Sequence, residues 1–209
     1  MIFYDCSTAP SPRRARMFIA EKGLSVETRE VDLRNDAHRS PEFLSINPWG
    51  TVPVLVTESG QQISENIAIA TYLEAAFPEP PLMGQTPEEK GSVAMWNAIC
   101  EFHAGWAIAE VLRNSSPALK ERALPGPVNY TQIPALAERG AKRLGVFYET
   151  LETRLQENPW LASGDFTMAD ITAFVFCDFA RIVKMPPPQK NKATQDWFAK
   201  TRARPSAAL

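Results

Sequence analysis

NPWGTVPVLVTESGQQISENIAIATYL, residues 47–73, carries four structural signals in succession. Pro48 fixes its own φ and Gly50 takes backbone angles closed to other residues, so Asn47-Pro48-Trp49-Gly50 reverses the chain. Val52-Pro53-Val54-Leu55-Val56 is a short apolar, β-branched run bounded by turn residues, which predicts a buried strand with proline at its start. The Val52-Pro53 bond is also a candidate for the cis form, which would place the Val52 backbone at a surface, because X-Pro is the one common route to a cis peptide. Ser59-Gly60 suits a hairpin into a second short strand, Gln61 to Ile63. Ser64 then opens a helix whose apolar face runs through Ile67, Ile69, Ala70 and Leu73. The free N–H groups of such a helix start attract carboxylates.

Upstream, Ile2-Phe3-Tyr4 is β-prone, and Ser11-Pro12 offers an N-cap followed by proline at the first helical position. Arg16, Met17, Ile19 and Ala20 carry that helix to a stop at Gly23, and Val26 to Leu33 alternates as a second strand. Strand, helix and strand without a hairpin-length link give a parallel pair. The order β-α-β followed by β-β-α is a thioredoxin-like arrangement, and it occupies residues 1–77.

Downstream, three prolines within Pro78-Glu79-Pro80-Pro81 cannot continue a helix, so residues 78–85 are a linker. From 86 to 209 the pattern is all-helical. Thr86, Pro87 and Glu89 form a capping box, and the helix through Trp96, Ile99, Cys100, His103, Trp106 and Val111 is expected to end at Ser115-Ser116-Pro117. A proline- and glycine-bearing loop, Leu124 to Asn129, precedes another helix from about Ile133 to Glu157. Thr167 as N-cap, Asp170 as its reciprocal partner, and Phe166 with Ile171 as a hydrophobic staple predict a buried helix with a sharply fixed start. Thr167 and Asp170 are therefore given a structural role.

Composition narrows the function classes. The 209 residues are 44% hydrophobic and 22% charged, ordinary for one or two globular domains. A formal net charge of −2 and a pI near 5.8 give no electrostatic reason for nucleic acid or an anionic membrane as partner. Cys6, Cys100 and Cys177 are odd in number, widely spaced and form no C-x-x-C, which favours a reducing compartment over a disulfide scaffold or zinc site. With no secretory start and no apolar run of membrane-span length, the chain reads as cytoplasmic. No metal or nucleotide motif is present.

The run NPxGxVPxL, then a hairpin, then E-[S/N]-x-A-I-x-x-Y-L at Glu65 to Leu73, resembles the glutathione-binding half of cytosolic glutathione transferases. The capping box at Thr167 and the closing Trp197 to Pro205 segment resemble that family's helical domain. The resemblance implies an α/β thioredoxin-like N-terminal domain followed by an all-α C-terminal domain, and a homodimer. It implies that the Val52 backbone pairs with the cysteinyl part of glutathione. Glu65 and Asn66 would hold the γ-glutamyl amine and carboxylate, with asparagine standing where serine is usual and its amide as donor. A basic residue after the second strand, His38 or Arg39, would meet the glycyl carboxylate. Trp96, Phe102, His103 and Trp106 are candidates for an electrophile pocket, against ordinary core packing.

The thiolate is the nucleophile, and a hydroxyl or thiol donor at a helix start stabilises it. The loop APSPRRARMFIAEKG, residues 9–23, resembles a bacterial subgroup that reads SPNPRRVRIFLAEKG. In that alignment Ala9 takes the place of the sulfur-contacting serine, and an alanine methyl stabilises no thiolate. Ser11, at the subgroup's asparagine, is the first candidate donor, with Ser7 and Thr8 as alternatives if the loop shifts. Arg13 and Arg14 either add positive potential or form a solvated face. Cys6 either forms mixed disulfides or is a small buried residue. The implied reaction is attack of the glutathione thiolate on a small hydrophobic electrophile, with glutathione as substrate and no cofactor. The rivals are a glutathione-dependent reductase acting through Cys6 and a non-catalytic glutathione-binding or protein-interaction module, which Ala9 favours.

Overall fold

The computed structural model describes residues 1–209. They divide into two compact units, Met1–Pro80 joined by Leu124–Asn129 and Leu209, and Pro81–Ala123 with Tyr130–Ala208.

The first unit is built on four strands, β1 (Ile2–Asp5), β2 (Glu27–Glu30), β3 (Val54–Val56) and β4 (Gln62–Ser64), in the order β2-β1-β3-β4. β1 and β2 are parallel; β1 with β3 and β3 with β4 are antiparallel. β2 is shorter than Val26 to Leu33, and all four of its residues are exposed. A short, charged edge strand of this kind resists pairing with other chains. The hairpin turns where expected, with Gly60 at φ +84°.

Side-chain alternation divides the sheet. Tyr4 and Val54 face α2 (Pro41–Ile46), where the Tyr4 and Phe43 rings meet edge to face at 6.0 Å. Phe3 and Leu55, fully buried, face the other way, toward α1 (Pro10–Glu21) and α3 (Asn66–Ala76), which pack together. The unit's end is fastened by Lys22, whose buried ammonium donates to the carbonyls of Phe77, Pro78 and Pro80 at 2.9, 3.3 and 2.6 Å.

The second unit is helical: α4 (Pro87–Cys100), α5 (Trp106–Ser115), α6 (Pro134–Glu157), α7 (Met168–Phe179) and α8 (Lys192–Arg202). The Thr86 capping box is formed, with Glu89 returning to the cap. α4 and α5 do not form one regular helix; a π-helical turn, Glu101–Gly105, joins them. α7 is buried from Met168 to Cys177, as its apolar sequence and fixed start predict. No helix is long and apolar enough to cross a membrane.

Candidate functional site

The start of α1 differs from the sequence expectation. Ala9, not Ser11, is the N-cap, with extended backbone angles (φ −95°, ψ 139°) and no side chain able to cap. The cause is Pro10, whose fixed φ suits the first helical position and starts the helix earlier than Ser11-Pro12 suggests. Ser11 is thus inside the first turn. Pro10 and Pro12 carry no N–H, so the backbone N–H that this turn can offer a ligand is that of Ser11. The half-buried Ser11 Oγ accepts from Asn66 Nδ2 at 2.9 Å and lies 3.4 Å from Arg14 Nη2.

The other candidates around the loop are engaged. Exposed Ser7 donates its N–H to both Glu30 oxygens, at 2.9 and 3.2 Å, and its hydroxyl to Oε1 at 3.1 Å. Its carbonyl accepts from Arg16 Nη2 at 3.2 Å, while Arg16 Nη1 pairs with Asp5 Oδ2 at 2.6 Å. Ser7 is therefore fastened to the edge strand. Thr8 Oγ1 lies 3.5 Å from Cys6 Sγ. Cys6 is 4% exposed and packs with Val31, Phe43, Val52 and Val54, with Ala9 against the same cluster. That is the small buried residue of the alternative assignment. It also brings the first loop and Val52 together.

Val52-Pro53 is cis, and Val52 precedes the β3 ladder, which begins at Val54. The strand expected from Val52 accordingly starts two residues later. The helix start after β4 is also displaced by one: Glu65, not Ser64, is the N-cap of α3, at φ +69° and ψ 133° with no side-chain cap. A non-glycine residue in this region costs about 1–3 kcal/mol, and such residues cluster at ligand clamps. The Glu65 side chain is exposed. Ile69 N–H returns to the Glu65 carbonyl at 3.0 Å, so the N–H groups of Asn66, Ile67 and Ala68 have no partner within the helix. Asn66 is 1% exposed; its amide donates to Ser11, and its Oδ1 is buried with no hydrogen-bond partner. The amide expected to face a carboxylate is engaged inside the fold.

His38 is buried in a single 3-10 turn, Ala37–Arg39, and its carbonyl packs beneath Gly50. Arg39 is committed elsewhere: Nη2 donates to the Pro127 carbonyl at 2.9 Å and to Asn129 Oδ1 at 3.0 Å. This clasp of Leu124–Asn129 onto the first unit has no local sequence signal, since its partners are separated by 88 and 90 residues.

In the helical unit Trp96 is core, whereas Phe102, His103 and Trp106 are exposed along the π-helical turn and the start of α5, Phe102 at 58%. The Phe102 and His103 rings meet edge to face at 4.9 Å, and the Arg143 guanidinium sits 4.4 Å from the centre of the Phe102 ring. π-helical turns occur frequently at functional sites. No group of His, Cys, Asp and Glu has the arrangement of a metal site.

Comparison with known proteins follows the same division of the chain. Residues 8–76 match the glutathione S-transferase N-terminal domain family, and residues 116–205 match the glutathione S-transferase C-terminal domain family. Glutathione S-transferase 2 of Saccharomyces cerevisiae is 35% identical over 211 residues, spanning 99% of this chain and 87% of that one. The crystal structure of Gtt2 from Saccharomyces cerevisiae superposes with a TM-score of 0.91 at 34% identity, covering 100% of this chain and 99% of the other. A glutathione S-transferase domain-containing protein of Marinobacter aquaeolei VT8 superposes with a TM-score of 0.90 at 33% identity, over 99% of both chains.

Proposed function

The chain belongs to the glutathione S-transferase family, and from that membership we propose that this transferase joins the glutathione thiolate to a small hydrophobic electrophile. The thiol proton leaves to solvent, the sulfur lone pair forms a C–S bond at the electrophilic carbon, and a leaving group departs with the electron pair of its own bond. Ser11 keeps its proton throughout and donates a hydrogen bond to the sulfur. A charge-assisted hydrogen bond of this kind is stronger than one to the neutral thiol, so it favours the thiolate.

The observation that carries this assignment is the environment of Ser11. Among the hydroxyls of the first loop, Ser7 is held by Glu30, Thr8 lies against Cys6, and Ser11 sits in the first turn of α1 beside that turn's available N–H. The remaining contacts are proposed as follows. Val52, ahead of the ladder, pairs through its backbone with the cysteinyl unit. The exposed Glu65 carboxylate takes the γ-glutamyl amine, and the N–H groups at the start of α3 take the adjoining carboxylate in place of the Asn66 amide. The glycyl end lies toward His38. Phe102, His103 and Trp106 form the apolar surface for the electrophile. A homodimer and a cytoplasmic setting belong to the same proposal.

The test is calorimetric binding of glutathione together with the ultraviolet thiolate absorbance of the bound tripeptide near neutral pH, on wild type and Ser11→Ala, and turnover of an activated aryl halide. Binding, a thiolate band and turnover are expected, with band and turnover reduced in Ser11→Ala. Binding with neither band nor turnover would replace this assignment by the non-catalytic module, which the methyl of Ala9 at the helix cap favours.

A further inference from the structure

We infer that Asn66 is a positioning residue for Ser11, fixing its hydroxyl as a donor aimed away from the protein; this rests on the assignment of Ser11 as the thiolate donor. A serine hydroxyl has two acceptor lone pairs and one proton. Both of the polar groups that Ser11 Oγ meets are donors: Asn66 Nδ2 at 2.9 Å and Arg14 Nη2 at 3.4 Å. With its lone pairs directed at those two groups, the hydroxyl has its proton left for an acceptor supplied by a ligand. The usual internal competitor for a helical serine is the carbonyl four residues back. Here the residue four back, Ser7, lies outside α1, and its carbonyl accepts from Arg16.

Asn66 is suited to this task in a way that serine or aspartate would not be. It is 1% exposed, so its orientation is set by packing at the start of α3. Its amide nitrogen can only donate, and it therefore cannot take the Ser11 proton. A carboxylate at the same place would accept that proton and consume it. Two of the positions at which the chain departs from its family's pattern, 11 and 66, are thus in direct contact. The asparagine at 66 makes the serine at 11 a donor.

The experiment measures the pH dependence of the thiolate absorbance of bound glutathione, with calorimetric affinity alongside, for wild type, Ser11→Ala, Asn66→Ala, Asn66→Asp and Ser11→Ala/Asn66→Ala. Asn66→Ala is expected to raise the thiol pKa by about one unit, a tenfold loss of thiolate at a given pH below it. Asn66→Asp is nearly isosteric and tests the donor argument if the alanine variant does not fold. It is expected to raise the pKa at least as far as Ser11→Ala does, and the double variant no further than Ser11→Ala alone. If Ser11→Ala raises the pKa while Asn66→Ala or Asn66→Asp leaves it at the wild-type value, the positioning role is overturned and the assignment of Ser11 survives. If Ser11→Ala leaves the pKa unchanged with glutathione bound, Ser11 is not the donor and both conclusions fall. Additive shifts in the double variant would also overturn the positioning role, because Asn66 would then act on the sulfur independently of Ser11.

Discussion

Trp197 Nε1 donates to Asp170 Oδ1 at 3.0 Å across 27 residues of sequence. The same carboxylate accepts from Leu161 N–H at 3.0 Å and, through Oδ2, from the Thr167 N–H and hydroxyl at 3.1 Å each. A residue legible in the sequence as a local helix cap therefore also joins α7 to α8 and to the preceding loop. Asp170→Ala would strand four buried donors, and its expected cost is about 3 kcal/mol or more. Urea unfolding measures this, with specific activity of the folded fraction unchanged; lost activity at unchanged stability would give Asp170 a chemical role instead.

The same burial predicts a pH dependence. Desolvation pushes the Asp170 carboxyl up to about 6, against the lowering effect of its hydrogen bonds from Leu161, Trp197 and Thr167. The folded pKa is raised above the unfolded value, so between about pH 4 and 6 the folded state retains a proton that the unfolded state has released. Rising pH through that window favours unfolding, and above it the effect is constant. An asparagine side chain cannot titrate; relative to the Asp170→Asn variant, wild type should lose about 2 kcal/mol of stability between pH 4 and 6. Chemical denaturation of both proteins across that range measures the difference, and a difference independent of pH would refute it.

The three cysteines are all buried and none is in a disulfide, and burial pushes the Cys177 thiol upward. Thiolate character and access both govern thiol reactivity. An aromatic disulfide reagent should therefore find no fast-reacting thiol in the native protein and all three after denaturation. Cys6→Ala should retain transferase turnover. Rapid native reaction at Cys6, with a glutathione-dependent reductase activity lost in Cys6→Ser, would establish the redox alternative.

What the sequence made legible was local. Pro48, Gly50, Pro53 and Gly60 each constrain their own backbone, and the Thr86 and Thr167 boxes close within four residues, so turns, strands and helix starts follow from neighbouring residues. The errors were local competitions: Pro10 displaced Ser11 as the start of α1, and Glu65 took the cap that Ser64 could have filled. The π-helical turn between α4 and α5 had no mark in the apolar periodicity. Contacts such as Ser11 with Asn66 and Arg39 with Pro127 depend on how distant segments meet. No spacing rule within the chain encodes them.

Gly140 and Gly145 lie on the same helix and predict opposite outcomes. A Cβ at Gly140 would stand 2.6 Å from the Ala107 carbonyl and 2.8 Å from Glu110 Cβ, whereas one at Gly145 meets nothing within 4 Å. Gly140 is what lets α5 and α6 approach. Gly145→Ala should stabilise by up to about 1 kcal/mol through helix propensity. Gly140→Ala should instead cost about 1–3 kcal/mol, the backbone clash exceeding the same propensity gain. Thermal unfolding of the two variants side by side decides it, and equal stabilisation by both would refute the close approach.

Arg39 offers a choice between two roles that one variant separates. Its guanidinium holds the Pro127 carbonyl and Asn129 Oδ1, so Arg39→Ala removes the donor that fastens Leu124–Asn129. Partly exposed contacts of this kind contribute up to about 1 kcal/mol to global stability, but they set how often a loop opens. The variant should melt close to wild type while being nicked several-fold faster within residues 124–129 by a protease of broad specificity, a rough scale for the loss of such a tether. Its glutathione affinity should change by less than about twofold, because a residue bound to the protein's own carbonyl contributes little to holding a ligand carboxylate. A tenfold loss of affinity with unchanged nicking would reverse the assignment and return Arg39 to the glycyl carboxylate, with the loop held by its other contacts.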